Sequence, residues 1–138
     1  GVENYYTLSV FYLDTLYEDW ENRDEYVLNR QTMNISSENS AIENGDNGDV
    51  LMFRDTSFDG QDYKIYVEFY DWQAWHGKEY YIELKSYNRA GYLYKKSIED
   101  YFSAVNDPFA EPVQIFGNIE NGYGIFMGQS VSIKKVSF

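Results

Sequence analysis

The loop DWQAWHGKEYY, residues 71–81, holds the residue types best suited to contact a ligand. Trp72 and Trp75 sit in it, and Tyr70 leads in. Flat rings stack on the apolar faces of sugars, and loops are where such rings are presented. The same pattern also suits a loop that folds its aromatics over the end of a core, so both readings stand. His76 is the only histidine. As a general base it would need a nucleophile and an orienting carboxylate beside it in space, and no GxSxG elbow supplies the first. It reads as an exposed loop residue. A single histidine also rules out a metal site of the HExxH kind.

Carboxylates are abundant: Glu18 with Asp19, Asp24 with Glu25, Glu99 with Asp100. Pairing therefore discriminates little, and glycosidase chemistry needs two carboxyls across a groove at a set distance. ENGDNGD places Glu43, Asp46 and Asp49 at alternating turn positions. Oxygen ligands so spaced can hold calcium, but the twelve-residue loop closed by a bidentate Glu is missing. This turn reads as solvated, as do Asp55 and Asp59 in DTSFDG. No metal or cofactor is expected.

A second feature is NDPFAEPVQIFGNIENGYGIFMG, residues 106–128. Asn121-Gly122 is a tight-turn signal. Gly124 and Gly128 are expected to remove side chains where another backbone or the helix comes close. Ile119, Ile125 and Phe126 would then bury against that helix. A glycine loop that cradles phosphate leads into a helix N-terminus; this one leads toward a strand. Scaffold is the favoured reading of the segment, a loop that grips a ligand the other.

These residues need elements to hold them. YYTLSVFYL alternates, with both faces apolar, which predicts a central strand. Asp14 to Arg30 reads as an acidic loop with a short helical turn near Glu18 to Arg23. Met33–Ser36 and Val50–Phe53 are short strand candidates, separated by turn chemistry over Ser37–Asp49. YKIYVEFY alternates, with Tyr63, Ile65, Val67 and Phe69 inward. YYIELKSY does so again, with Tyr80, Ile82 and Leu84 on one face. Tyr87, Gly91, Tyr94, Ile98, Tyr101, Phe102 and Val105 then recur at helical steps. This predicts one helix at about 88–105, capped by Asn88 and ended before Asp107-Pro108. Tyr123 to Phe138 reads as two β stretches bent at Gly128 to Ser130. The fold expected is mainly β with one helix: an antiparallel sandwich or incomplete barrel with the helix packed across it.

Composition bounds the rest. The 138 residues suit one domain, 1–138. With no cysteine, thiolate chemistry and disulfides are excluded. A net charge of −12 repels nucleic acid and anionic membrane surfaces. No apolar run is long enough to span a bilayer. Aromatics make up 20% of the chain, including 15 Tyr, which suits β-proteins and binding surfaces. GVENYYTLSV enters a strand at once and lacks a signal-peptide pattern. The chain is thus expected to be processed or trimmed, with Gly1 a cloning scar.

The segment from Tyr92 to Val131 carries a resemblance. An aromatic helix precedes Asn106 to Phe109, then Glu111-Pro112, then Asn118 to Phe126 and Gly128. This order, with Asn118, Asn121, Gly122, Gly124, Phe126 and Gly128 as its marks, is similar to the C-terminal part of a Bacteroidetes lipoprotein family, domain of unknown function 4249. ENYYTLSVFYLD and Asp59-Gly60 match further upstream. The resemblance implies a lipid-anchored protein at the outer membrane, on the extracellular surface or on the periplasmic face, encoded beside a TonB-dependent receptor. It implies that receptor or another outer-membrane protein as partner. The lipidated cysteine and upstream β-domain usual in the family are not in this sequence. Three functions are therefore carried forward. The first is a non-catalytic accessory module of a nutrient-uptake system. The second is a glycan-binding module using Trp72 and Trp75. The third, least supported, is a hydrolase.

Overall fold

A computed structural model describes residues 3–17, 21, 26–45, 48–56, 60–69 and 79–137. In chain order the elements are β1 (Tyr5–Tyr17), β2 (Tyr26–Thr32), β3 (Ile35–Ser36), β4 (Ile42–Asn44), β5 (Leu51–Arg54), β6 (Glu68–Phe69), β7 (Glu79–Tyr87), α1 (Arg89–Val105) and β8 (Gln129–Ser137). The protein is mainly β with one helix, as expected, and every strand pair is antiparallel. The larger sheet runs β4-β5-β1-β7-β8, with β2 also on β1, and does not close into a barrel; β3 and β6 form a two-stranded sheet.

β1 is central because both its faces are apolar. Residue Phe11 pairs with Tyr81 of β7 and with Thr32 of β2 at once. The edge opposite β7 is therefore shared in succession by β5, along Tyr5 to Leu8, and by β2, along Phe11 to Tyr17. Between them the Met33 N–H donates to the Val10 carbonyl at 2.8 Å. Because side chains alternate across a strand, Val10 and its even-numbered neighbours Tyr6 and Leu8 face the small sheet. There they pack with Leu51, Phe53, Ile35 and Tyr80. The odd-numbered face turns toward α1, where Tyr5, Met52, Tyr87 and Tyr92 form a second cluster joined by Met127. Tyr5 and Tyr92 meet with ring centroids 4.7 Å apart. The molecule is thus layered: small sheet, large sheet, helix.

The helix begins as expected: the Asn88 side chain accepts from the Gly91 N–H at 2.9 Å, satisfying one of the open first-turn donors. Its stripe is covered unevenly. Gly91 and Tyr92 are buried, whereas Tyr101, Phe102 and Val105 are exposed.

Four expectations need correction. The acidic loop over Asp14–Arg30 is instead largely β1 and β2, paired from Phe11↔Thr32 to Tyr17↔Tyr26. Its side chains Leu13, Val27 and Leu28 are exposed. A ribbon standing in solvent needs no apolar face, so polar composition concealed it; the helical turn proposed there lies mostly outside the described residues. Ser37–Asp49 contains a strand, β4, on the edge of β5. YKIYVEFY turns Ile65, Val67 and Phe69 toward the core, but Tyr63, expected inward with them, is exposed, and only Glu68–Phe69 enters a ladder. The last segment is one strand, β8, paired with β7 along its whole length.

The reason residues 123–128 form no strand is local. The Asn118 carboxamide accepts from the Phe126 N–H at 2.7 Å and donates to its carbonyl at 2.8 Å. Those are the groups a ladder would need. Residues 106–128 form the return path from the end of the helix. The Phe116 N–H donates to Ser97 Oγ on the helix at 2.8 Å. Met127 then joins the tyrosine cluster, and the Asn88 N–H donates to the Gly128 carbonyl at 3.3 Å. Phe126 is 80% exposed and Ile119 is also exposed, so the expected burial of this motif against the helix falls to Met127 instead. The glycine roles shift too. A Cβ on Gly124 would have its nearest neighbour at 3.9 Å, but its φ is +122°; a Cβ on Gly128 would have 4.0 Å of room. The close approach is at Gly117, where a Cβ would come within 2.7 Å of the Gly124 carbonyl oxygen.

Candidate functional site

The odd-numbered face of the large sheet is only partly covered by α1. Beside the tyrosine cluster it opens into a cleft of about 260 Å³ between helix and sheet. The sheet supplies the hydroxyls of Thr7, Ser9, Thr32 and Tyr87 and the charges of Arg30, Glu83 and Lys85. The helix supplies Lys95, Ile98 and Glu99; Asp49, Val50 and Met52 line the remaining side.

Register explains this concentration. Glu83 stands opposite Ser9 on β1, and that small side chain leaves space above the strand. Arg30 is on β2, across from Leu13. Its guanidinium crosses the Phe11 ring at 3.7 Å from the centroid, a cation–π contact. Phe11 is in turn stacked on Tyr81 at 5.2 Å. The fork then meets Glu83 at both oxygens, Nη1 to Oε2 at 3.0 Å and Nη2 to Oε1 at 2.9 Å. Such bidentate pairing fixes orientation as well as charge. Lys85 Nζ lies 3.4 Å from Glu83 Oε1.

The electrostatics follow from these contacts. The Glu83 side chain is 6% exposed. The hydrogen bonds from Arg30 hold its carboxyl below the usual carboxylate range; burial opposes this, and the Lys85 charge adds to it. Burial pushes the Lys95 ammonium below the usual lysine range, the Lys85 charge pushes it further, and Glu99 partly offsets both. The cleft therefore contains a neutralised internal ion pair beside two mutually repelling lysines on opposite walls. In a chain of net charge −12, the cleft is a charge-balanced patch: Arg30, Lys85 and Lys95 line it together with Asp49, Glu83 and Glu99.

The sequence-predicted residues lie elsewhere. Trp72, Trp75, Tyr70 and His76 fall outside the described residues, as do Asp46 and Asp59. Glu43 meets the helix: both its oxygens take Lys96 Nζ at 3.0 Å. Asp55 is buried and accepts from the Asn4 backbone N–H at 2.8 Å and from its Nδ2 at 2.7 Å, tying the start of β1 to the end of β5. Asn118, Asn121, Gly122 and Gly124 build the return loop, with Asn121 at φ 57° and the Asn118 N–H donating to the Gly124 carbonyl at 3.2 Å.

Arg30, Glu83, Lys85 and Lys95 were missed. The available signal was the second face of YYIELKSY, where Glu83 and Lys85 alternate with Tyr81 and Tyr87 on a strand otherwise read as core. Arg30 carried none, having been placed in a loop.

Among proteins of known type, neither the curated proteins nor the solved structures contain a match to this chain. The sequence model of one family, described as a domain of unknown function (DUF4249), matches residues 1–135. That match covers almost the whole chain, and the chain is a member of the DUF4249 family.

Proposed function

We propose that this chain is a non-catalytic binding module that holds a small polar ligand in the cleft between α1 and the sheet. The observation that carries this reading is the Arg30–Glu83 clamp. It places a buried carboxylate in a cleft and then removes it from proton transfer by holding it ionised, which suits a rigid wall better than an acid or base. The cleft itself combines an apolar side, formed by Val50, Met52 and Ile98, with convergent polar groups, the usual make-up of a ligand pocket. In cellular terms the module is proposed to serve a lipid-anchored cell-surface accessory of a TonB-dependent outer-membrane uptake system. That context rests on the family resemblance alone.

Two measurements test this. The full-length protein, isolated from native outer membranes, is expected to bring a TonB-dependent receptor with it; recovery without one counts against the uptake context. A thermal-shift screen of small polar metabolites is expected to give a hit that Ile98→Trp abolishes by filling the cleft. Turnover of that hit by the purified protein would overturn the non-catalytic reading. The alternative is a carbohydrate-binding module, favoured by the aromatic loop DWQAWHGKEYY. It requires a glycan-array signal lost in Trp72→Ala or Trp75→Ala and untouched by Ile98→Trp.

A further inference from the structure

We propose that the ligand of this cleft is a small molecule bearing a single carboxylate, seated between the ammonium groups of Lys85 and Lys95. This rests on the reading of the cleft as a binding site and specifies its chemistry.

Internal pairing leaves lysine donors in the cleft with spare capacity. Glu83 takes both donors of the Arg30 fork, and Lys85 adds one contact at 3.4 Å, longer than the roughly 2.7–2.9 Å of a strong charge-assisted hydrogen bond. An ammonium has three donors, so Lys85 retains capacity toward the cleft. Lys95 faces the same space from the helix. Two cations held across a half-buried gap repel each other, and an anion placed between them relieves both.

Three features select a carboxylate on a compact body. Asp49 and Glu99 in the same lining, together with the overall charge of −12, disfavour a phosphate dianion while tolerating one negative charge. The cleft, at about 260 Å³, is smaller than the roughly 300–1,000 Å³ of drug-sized pockets, so the body is monosaccharide- or amino-acid-sized. The hydroxyls of Ser9, Thr32 and Tyr87 offer both donors and acceptors to such a body.

The same carboxylate could belong to a sugar acid or to a capped amino acid, and calorimetry separates them. The probes are galacturonate and N-acetylalanine, with galactose and N-acetylalanine amide as neutral counterparts, titrated into the whole chain. One acid is expected to bind and its neutral counterpart not to. Lys95→Gln is expected to weaken binding by about ten- to a hundred-fold, the loss of one charged hydrogen bond, and Lys95→Arg to restore most of it. Lys95 belongs to neither apolar cluster, so its replacement leaves the core intact. Equal binding of acid and neutral probe, unaffected by Lys95→Gln, would overturn the proposal while leaving the cleft a binding site. Binding of inorganic phosphate in preference to either acid would also overturn it. If none of the probes binds at millimolar concentration, the carboxylate assignment falls, and the metabolite screen above decides the cleft separately.

Discussion

Replacing Arg30 by Met isolates the clamp at the base of the cleft. The substitution keeps an unbranched apolar stem over Phe11 but removes two hydrogen bonds, at 3.0 and 2.9 Å, and the cation at 3.7 Å from the ring centroid. Glu83 is then left buried with Lys85 as its remaining cation. Removing one partner of a fully buried ion pair costs about 3–5 kcal/mol, because the other charge is stranded. Two facts reduce that here. Arg30 is 40% exposed, so part of its interaction is screened. Lys85 can also move in from 3.4 Å. The expected loss is therefore about 2–3 kcal/mol. Urea denaturation is the assay, reading a lower midpoint at unchanged slope. The double variant Arg30→Met with Glu83→Leu should regain much of the loss, since no charge is then stranded. The pH dependence fixes the sign. The folded-state carboxyl of Glu83 is held below its ordinary value, so its contribution is full above about pH 4.3 and fades as pH falls through the depressed value. The gap between wild type and Glu83→Gln should accordingly close in acid. A single variant within about 0.5 kcal/mol of wild type, with a double variant that is merely additive, would refute the clamp as a buried, oriented pair.

Other expected outcomes follow from the same geometry. Gly117→Ala should lower stability by about 1–3 kcal/mol by forcing a Cβ against the Gly124 carbonyl, read as a shift in the urea midpoint. Gly124→Ala should cost about 1–3 kcal/mol through backbone conformation rather than crowding, since φ is +122° with open space around it. Asp55→Ala should cost about 1–3 kcal/mol by orphaning both Asn4 donors. Burial alone would raise the Asp55 carboxyl, but the Asn4 hydrogen bonds outweigh it and lower it; its share of stability is therefore present above the ordinary carboxylate range and lost as pH falls through the lowered value. Millimolar calcium should leave the melting temperature unchanged, because Glu43 is committed to Lys96; a rise of several degrees reversed by EDTA would contradict this.

Where burial wrote the sequence, the sequence could be read. β1 and β7 bury one face against the core, and their alternation marked both as strands and β1 as the central one. The helix announced itself by Asn88, a three-four stripe and Asp107-Pro108, and its observed span, Arg89–Val105, starts one residue inside the prediction. β2 and β4 escaped because they lie at edges or in solvent, where pairing is set by backbone groups and any side chain is tolerated; β8 was legible as a strand, and only the extra β stretch expected before it did not form. The cleft escaped for a related reason. Its residues come from β1, β2, β5, β7 and α1, and what joins them is register, which a single sequence states only through the elements it pairs. Ser9 looks like a weak residue in a strong strand until Glu83 is seen opposite it; Arg30 looks like loop charge until Phe11 lies beneath it.

The return segment completes this logic. It is glycine-rich, yet it carries the chain from the C-terminal end of α1 back to its N-terminal end, so that β8 can pair with β7. Asn118 holds the loop by its own carboxamide, and Met127 with Gly128 fastens the end to Asn88 and the tyrosine cluster. The helix is thereby pinned at its first turns by packing, and midway by Lys96 on Glu43, while its far end stands in solvent. Lys95 sits between those two fixings. Its position over the sheet is set by the tyrosines on one side and a salt bridge on the other, so the width of the gap between Lys85 and Lys95 depends on residues that never enter the cleft. Tyr92→Ala, expected to cost about 3–5 kcal/mol as a large buried aromatic deletion does, should therefore also weaken any ligand held between those lysines. A variant that lost the stability but kept the affinity would separate the helix anchor from the site and refute that dependence.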